Sequence, residues 1–340
     1  MTAYPAHELC RRHCFEEVAY LHWHGGLPTR EQLTAQNRVE RAERTLGPRA
    51  AAALSRRPSA AGSRDTLLTV LSVLAADVTA EDDPAEAGHA TALRLVAVLP
   101  SIAAADQRRR AGLGAIAPRD HLGFAANFLC MTLGKVPEPQ IVAAFEASLI
   151  LYGGAPHAAA DPFRGIVQAR PDLYEAVGPA LGARPQSADA ITARAVIEMM
   201  HEVVIPDNAH SWVEEALDEG RRIPGFGQDP GGAENARVAA MRRSLAIIAS
   251  LRGGQRLIET YEALAEAVHD ASGLTPTLDY PAILAYRLIG FDPEGFAPIL
   301  AIARLPGRTA PLPGRLAAGR LTRLRAASDR RTAAGVAAAV

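Results

Sequence analysis

The sequence predicts an all-α protein, and three observations support this prediction. Apolar residues recur at helical spacing along the chain, whereas the alternation typical of β-strands is hard to find. Residues that begin and end helices stand at the edges of these periodic segments. The chain has 340 residues, of which 49% are hydrophobic. That length suits about two domains with substantial apolar cores.

Three apolar stripes show the helical period most clearly. Each places residues three or four positions apart on one side of a helix, so that the side can be buried. The stripes comprise Leu67, Leu68, Val70, Leu71 and Leu74, then Val142, Phe145, Leu149 and Ile150, and then Ile191, Ala195, Val196, Met199 and Met200.

Capping residues agree with these helices. Thr29 and Gln32 have the spacing of a capping box, in which each side chain bonds the other's backbone amide. Two Asp-Pro pairs place a cap residue before a proline at the first helical turn, and glycines mark helix ends. The pairs are Asp161–Pro162 and Asp292–Pro293, and the glycines are Gly134, Gly253 and Gly254.

Two polar stretches interrupt the periodicity and are predicted to be loops. Residues 77–89 are acidic and polar, whereas residues 223–233 are rich in glycine and proline. A long loop within a compact helical protein is more often functional than decorative. Residues 326–340 are expected to form a loosely ordered tail.

Composition excludes several classes of function. The net charge of −1 gives no broad attraction to nucleic acid or to an anionic membrane. The apolar run from Leu95 to Ala105 is much shorter than the roughly 20 residues of a membrane span. Cys10 and Cys14 have His7 and His13 nearby, but nothing later in the chain completes a zinc-site spacing, so no metal is expected. We expect a soluble, cytoplasmic protein.

Several segments together resemble the citrate and 2-methylcitrate synthase family. Phe15–Leu21 and the residues after it are similar to the family's "FEEVAYLLWHGELPT". The family's further motifs are "RLIAKLPTIVAA", "AANFLYM", "LILHADHE", "GFGHRVY", "NVDFYSG" and "FAIAR". Their counterparts, in the same order, are Arg94–Ala105, Ala125–Met131, Leu149–Leu151, Gly225–Gly227, Leu278–Tyr280 and Ala301–Arg304. The resemblance extends from Phe15 to about Arg325.

The resemblance implies a helical protein with a large domain and a smaller domain that closes over the substrates. Carried over, the large domain comprises residues 1–186 and 279–325, and the small domain comprises residues 187–278. A homodimer that uses helix Ala125–Leu133 is implied. A heterodimer with an active homologue is the alternative partnership.

The family's reaction is a Claisen-type condensation, and the resemblance gives several residues a role in it. Asp279 matches the base that removes a proton from an acyl-CoA thioester. Arg304 matches an arginine that binds a substrate carboxylate, and Arg323 resembles one that reaches into the partner subunit's site. The loop of Gly225, Phe226 and Gly227 borders CoA. The thioester is a co-substrate, and no permanently bound cofactor is implied.

The family's three site histidines are replaced in this chain. Tyr152 stands in place of the first histidine of "LILHADHE", and His157 lies close enough in sequence to substitute for the second. Asp189 stands in place of the histidine of "GPLHGGANE", which holds the enolate oxygen. Gln228 stands in place of the histidine of "GFGHRVY", which polarises the ketone.

These replacements leave two main interpretations open. One is an enzyme of altered substrate or reaction, in which Gln228 and a protonated Asp189 donate hydrogen bonds. The other is an inactive paralogue that serves as a regulatory or partner subunit. Ordinary citrate synthesis is the least consistent with the sequence, and its rate is expected to be very low. The acyl group and its acceptor stay open.

Overall fold

Helices dominate the chain. The computed structural model describes residues 5–58, 61–76, 84–154, 186–229 and 231–309. The strands within those ranges form one pair of two residues each, so the predicted all-α class is confirmed. The described helices before residue 155 are α1 (Ala6–Leu9), α2 (Phe15–His24), α3 (Arg30–Ala42), α4 (Pro48–Ser55), α5 (Ser63–Ala76), α6 (Pro84–Arg110), α7 (Phe124–Leu133) and α8 (Pro139–Gly153).

The second half of the described chain contains the remaining elements. They are α9 (Gln186–Val203), a 3₁₀ turn (Pro206–Asn208), α10 (Ala209–Asp218), β1 (Phe226–Gly227), α11 (Gly232–Arg252), α12 (Gln255–Ser272), β2 (Thr275–Pro276), α13 (Asp279–Ile289), a second 3₁₀ turn (Pro293–Gly295) and α14 (Phe296–Thr309). The predicted domain boundaries at residues 187 and 279 fall near the starts of α9 and α13 and stay a prediction.

Helix α8 lies at the centre of the packing. It contacts α11 and α14 extensively, and α14 in turn packs on α6. The ring of Phe145, in the middle of α8, is fully buried and lies within 6 Å of the rings of Phe128, Tyr286 and Phe291. Such aromatic contacts bury large apolar areas, so residues from α7, α8 and α13 share one core.

The predicted helix ends are confirmed wherever the structure describes them. The Thr29 hydroxyl accepts from the Gln32 amide at 3.2 Å, and the Gln32 side chain accepts from the Thr29 amide at 2.8 Å. Gly134 and Gly253 adopt the left-handed conformation that ends α7 and α11. The Asp292 carboxylate caps a 3₁₀ turn that leads into α14. The pair Asp161–Pro162 lies outside the described residues.

The apolar stripes are buried or half-buried, with one correction. Ile191 was expected on the buried face of α9 but is 63% exposed. The buried face of this helix is instead formed by Ala193, Val196, Met199 and Val203, which recur every three or four residues. Ile191 lies on the opposite, exposed side of the helix.

The acidic stretch before α6 is shorter than predicted. The prediction of a loop over residues 77–89 is wrong for residues 84–89, because α6 begins at Pro84. Proline is favoured in a first helical turn, and alanine and glutamate follow it. Neither α6 nor any other described helix has the length and apolarity to cross a bilayer. The predicted tail of residues 326–340 lies outside the described residues.

The helix predicted to form a dimer contact is packed against its own chain. Most side chains of α7 are buried, including Phe128, Leu129 and Met131. Helix α7 packs on α6 and α8. Dimerisation through this helix therefore stays a prediction, since its apolar side chains already have partners within the chain.

Two glutamates, one buried and one half-buried, bond to the N-terminal ends of helices. The Glu16 carboxylate accepts from the Phe124 amide at 2.9 Å, at the start of α7. The Glu146 carboxylate accepts from the Phe15 amide at 3.3 Å, at the start of α2. Burial, together with the neighbouring negative charge of Glu16, raises the pKa of Glu146 to about 7. Glu146 therefore favours folding in its protonated form.

We expect the substitution Glu146→Gln to change how stability depends on pH. The folded-state pKa of about 7 exceeds the ordinary value of 4.5. Between those values the native state binds more protons than the unfolded state, so the wild-type protein loses stability as pH rises. Glutamine keeps an acceptor for the Phe15 amide without ionising. We expect E146Q to be more stable than wild type at pH 8 by about 1–3 kcal/mol, with little difference at pH 4.5.

Urea unfolding at both pH values measures this difference. E31Q, at an exposed position of α3, is the matched control and should follow the wild-type profile. Parallel pH profiles for E146Q and wild type would contradict the prediction.

Candidate active site

Tyr152 and Asp279 form the centre of the site. Tyr152 lies in the last turn of α8, and Asp279 is the first residue of α13. The Tyr152 hydroxyl donates a hydrogen bond of 2.7 Å to Asp279 Oδ1. The distance is typical of a hydroxyl bound to a carboxylate, which is stronger than a bond between neutral groups. The bond joins residues that are 127 positions apart in sequence.

Arg304 contacts the same tyrosine. Its guanidinium carbon lies 5.6 Å from the centroid of the Tyr152 ring, within the range of a cation–π interaction. Tyr152 therefore bonds Asp279 through its hydroxyl and Arg304 through its ring. The structure thus brings together three of the predicted site residues from α8, α13 and α14.

Small residues allow α8 and α14 to come this close. A Cβ atom at Gly153 would lie 2.6 Å from the carbonyl oxygen of Ala303, and one at Gly307 would lie 3.2 Å from the Gly153 oxygen. Real side chains do not tolerate the first distance, and neither backbone can move without disturbing a helix. Glycine at residue 153 is therefore required for Tyr152 and Arg304 to meet.

The buried tyrosines of the site stay protonated. Burial raises the pKa of Tyr152 well above its usual value, and the negative charge of Asp279 adds to this, whereas Arg304 opposes it. Tyr286 donates to the Ser148 hydroxyl at 3.0 Å, and burial also raises its pKa. Both phenols therefore act as hydrogen-bond donors at neutral pH.

A narrow cavity borders the carboxylate. Its volume is about 10 Å³, which is about the space that one water molecule needs. The lining is mainly apolar and comes from α8, α9, α13 and α14. The lining residues are Tyr152, Thr192, Asp279, Ile283, Tyr286, Phe296 and Leu300.

Hydrogen bonds attach the predicted CoA loop, Gly225–Gly227, to the segment just before α13. Strand β1 pairs antiparallel with β2, with Phe226 opposite Pro276. The Thr277 amide and hydroxyl both donate to the Gly225 carbonyl, at 2.9 and 3.0 Å. The Phe226 ring lies 4.8 Å from the Tyr280 ring, centroid to centroid. The loop is thus fixed two residues before Asp279.

Gly225 needs to be glycine at this point. Its φ of +84° lies in the left-handed region, and a Cβ atom there would lie 3.0 Å from that of Tyr280. The Tyr280 ring stacks on Tyr261 on its other side, with 4.6 Å between centroids. The loop backbone therefore lies directly against this aromatic pair.

Gln228 makes no described contact with the central cluster. It is exposed, and the described hydrogen bonds include none from its side chain to Tyr152, Asp279 or Arg304. After Gln228, the Asp229 carboxylate accepts from the Gly231 amide at 2.8 Å, next to the start of α11. The catalytic role predicted for Gln228 stays a prediction.

Three other predicted residues cannot be placed in the site. Asp189 belongs to α9, but its side chain lies outside the described structure. His157 and Arg323 lie outside the described residues altogether. Helix α9 does reach the cavity, since Thr192 lines it.

Sequence reasoning missed Arg237. This arginine on α11 is 7% exposed, and its Nε donates to the Leu151 carbonyl at 3.0 Å, with a further bond from Nη2. It therefore holds the turn of α8 that carries Tyr152. The signal was present in the sequence, because Arg237 shares a helical face with Met241 and Leu245, which are both fully buried. A cation on an apolar face indicates a buried partner.

These features define the class of protein: an all-helical chain with a carboxylate, a tyrosine and an arginine gathered where three helices meet. Residues 2–325 match the model of the family described as "Citrate synthase, C-terminal domain". The chain is 40% identical to 2-methylcitrate synthase of Mycobacterium tuberculosis over 310 residues, which cover 90% of this chain and 78% of that protein. It is 38% identical to citrate synthase of Mycolicibacterium smegmatis over 324 residues, with coverage of 94% and 86%.

Solved structures agree with the sequence relatives. Citrate synthase of Thermotoga maritima superposes with a TM-score of 0.77 at 26% identity, covering 91% of this chain and 82% of that one. The Thermoplasma acidophilum citrate synthase, solved in a ternary complex with carboxymethyl coenzyme A and oxaloacetate, gives a TM-score of 0.80 at 20% identity, covering 91% and 84%, and supports the fold alone. The chain belongs to the citrate synthase family.

Removal of the Tyr152 hydroxyl should lower stability measurably. Tyr152→Phe leaves an oxygen of Asp279 without this donor, and we expect a loss of about 1–3 kcal/mol in the free energy of unfolding. Tyr280→Phe is the matched control, because the Tyr280 hydroxyl contacts only the Met200 sulfur, at 3.5 Å, among the described hydrogen bonds. Denaturant unfolding of both variants gives the comparison. Equal losses would show that the Tyr152–Asp279 bond contributes little.

Proposed function

We propose that this chain catalyses a Claisen-type condensation between an acyl-CoA thioester and a 2-oxo acid. The observation that carries this proposal is the cluster of Asp279, Tyr152 and Arg304. It combines a carboxylate base, a neutral hydrogen-bond donor and a cation. These are the groups that proton removal, enolate stabilisation and carboxylate binding require. The names of its relatives, citrate synthase and 2-methylcitrate synthase, support the same reaction class.

The roles follow from the chemistry of each group. Asp279 takes a proton from the carbon next to the thioester carbonyl, and the resulting enolate oxygen accepts a hydrogen bond. Tyr152 can provide that bond, since its hydroxyl stays protonated beside Asp279. The enolate carbon attacks the ketone of the 2-oxo acid, whose oxygen takes up a proton. Water then cleaves the thioester and releases CoA.

The other predicted residues complete the proposal. Arg304 binds a carboxylate of the 2-oxo acid, because a guanidinium fork matches a carboxylate in geometry and charge. Asp189 and Gln228 supply further hydrogen-bond donors. The loop of Gly225–Gly227 borders CoA, supported by its attachment next to Asp279. His157 and Arg323 are proposed to contact substrate from segments outside the described residues.

A second candidate function rests on the size of the cavity. A space of about 10 Å³ cannot hold an acyl thioester, and Tyr152 occupies one oxygen of the base. A chain kept in this arrangement would bind no substrate at Asp279 and could serve as a partner or regulatory subunit. In the catalytic proposal, the walls formed by α9 and α14 separate to admit substrate.

Asp279→Asn should abolish turnover while the fold is kept. Loss of a general base costs about 10²–10⁴ in rate. CoA release from acetyl-CoA or propionyl-CoA with oxaloacetate, followed with a thiol reagent, measures the effect. Asp292→Asn is the matched control, because Asp292 is 49% exposed and pairs with Arg110. It should retain wild-type activity. If the wild-type protein releases no CoA with any thioester tested, the partner-subunit candidate is favoured instead.

Arg304→Lys should separate substrate binding from the proton-transfer step. Lysine keeps the charge but loses the bidentate fork, so we expect KM for oxaloacetate to rise about tenfold. KM for the acyl-CoA should stay unchanged. Steady-state kinetics with each substrate varied in turn gives both constants. A rise in KM for the acyl-CoA alone would contradict the prediction, because it would mean that Arg304 binds the thioester and not the 2-oxo acid.

A further inference from the structure

A second, larger pocket lies on α3, apart from the Asp279 cluster. Its volume is about 580 Å³, within the range of about 300–1,000 Å³ that small-molecule sites occupy. One wall is a helical face with residues three or four positions apart, and the other comes from the segment before α7. The lining residues are Thr34, Asn37, Arg38, Arg41, Ala42 and Asp120.

The two arginines of this pocket contrast with the other arginines nearby. Arg44 donates to both carboxylate oxygens of Glu40, at 2.8 and 2.7 Å, and Arg94 pairs with Glu43 at 3.2 Å. No ion pair among the described residues involves Arg38 or Arg41. Glu40 lies near Arg41, but Arg44 already takes both of its oxygens. Two guanidinium groups therefore remain available along one wall of the pocket.

Buried polar atoms in the pocket also lack partners. The Nε of Arg41 and the Oδ1 of Asn37 are shielded from solvent, and neither has a hydrogen-bond partner within the described structure. Such unpaired atoms are unfavourable, and a polar ligand satisfies them when the Arg41 and Asn37 side chains turn toward the pocket. One of these atoms is a donor and the other an acceptor.

The opposite wall is held firmly in place. The Nη1 of Arg44 donates to the carbonyls of Arg119 and Leu122, at 3.2 and 2.9 Å, on either side of Asp120. The Arg119 amide also donates to the side chain of Asn127, at 2.8 Å. The backbone that carries Asp120 is thereby fixed before any ligand binds. The Asp120 side chain is exposed on this fixed backbone, and its carboxylate can accept hydrogen bonds from ligand hydroxyls.

We propose that this pocket binds a small phosphate ester that carries hydroxyl groups, with Arg38 and Arg41 on the phosphate and Asp120 on the hydroxyls. Guanidinium groups bind phosphate oxygens bidentately, which gives both geometry and affinity. Inorganic phosphate has no alcohol hydroxyl groups, so it gains at most one P–OH hydrogen bond from Asp120 against the repulsion between the two negative charges. The pocket should therefore prefer a sugar phosphate to inorganic phosphate. This site is independent of the proposed condensation.

Isothermal titration of the full chain with ribose 5-phosphate and with inorganic phosphate tests the proposal. We expect ribose 5-phosphate to bind at least tenfold more tightly. R38Q/R41Q should weaken its binding at least tenfold, whereas R30Q, an equal charge change per residue at an exposed position of the same helix, should have little effect. D279N should bind it as wild type does.

Asp120→Asn provides the sharpest distinction. It should lower the preference for ribose 5-phosphate over inorganic phosphate, because it replaces one acceptor oxygen with an amide donor and removes a negative charge that repels both ligands. Protection of Arg38 and Arg41 from phenylglyoxal by ribose 5-phosphate, read by peptide mapping of the wild-type protein, gives a test that needs no variant. Absence of binding, binding unaffected by R38Q/R41Q, or an absence of protection would overturn the proposal.

Discussion

The close approach of α8 and α14 is the constraint on which the site depends. At Gly153 the two backbones meet with no room for a side chain, since a Cβ atom would lie 2.6 Å from the Ala303 carbonyl. This contact places Tyr152 and Arg304, one residue from each contact point, against each other. From the other side, Arg237 binds the Leu151 carbonyl. The end of α8 is therefore held by α11 and α14 together, and Asp279 meets a tyrosine whose position is fixed.

The sequence predicted those parts of the molecule that local pattern or motif order determines. Helix caps such as Thr29 depend on neighbours a few residues away, and the order of motifs brought Asp279 and Arg304 into one site. Ile191 was misassigned because a short apolar segment fits more than one helical phase, and only packing selects between them. The bond between Tyr152 and Asp279 could not be predicted, because it depends on how two helices cross.

Comparison with a structural ion pair shows why Asp279 suits a chemical role. Glu40 and Arg44 are both buried and share two hydrogen bonds, so each charge has a partner. Removal of one residue would leave an unpaired buried charge, which strongly destabilises the fold. Asp279 has a different environment. Its described partner is a neutral hydroxyl, and Arg304 faces the Tyr152 ring instead of pairing with the carboxylate. Within the described structure, Asp279 is therefore not one half of an ion pair, unlike Glu40.

The same bond sets a cost on the proposed reaction. The Tyr152 hydroxyl has one proton, so it can donate either to Asp279 or to an enolate oxygen, but not to both. Transfer of the donor to substrate breaks a bond to a charged group, which is worth about 1.5–3 kcal/mol. Uncompensated, this corresponds to a rate that is lower by roughly 10- to 160-fold. The new hydrogen bond from Tyr152 to the enolate oxygen offsets part of this loss, because the enolate is also negatively charged. Before substrate binds, Tyr152 therefore occupies one oxygen of the Asp279 carboxylate. In the proposed reaction, the same hydroxyl stabilises the negative charge that forms on the enolate oxygen.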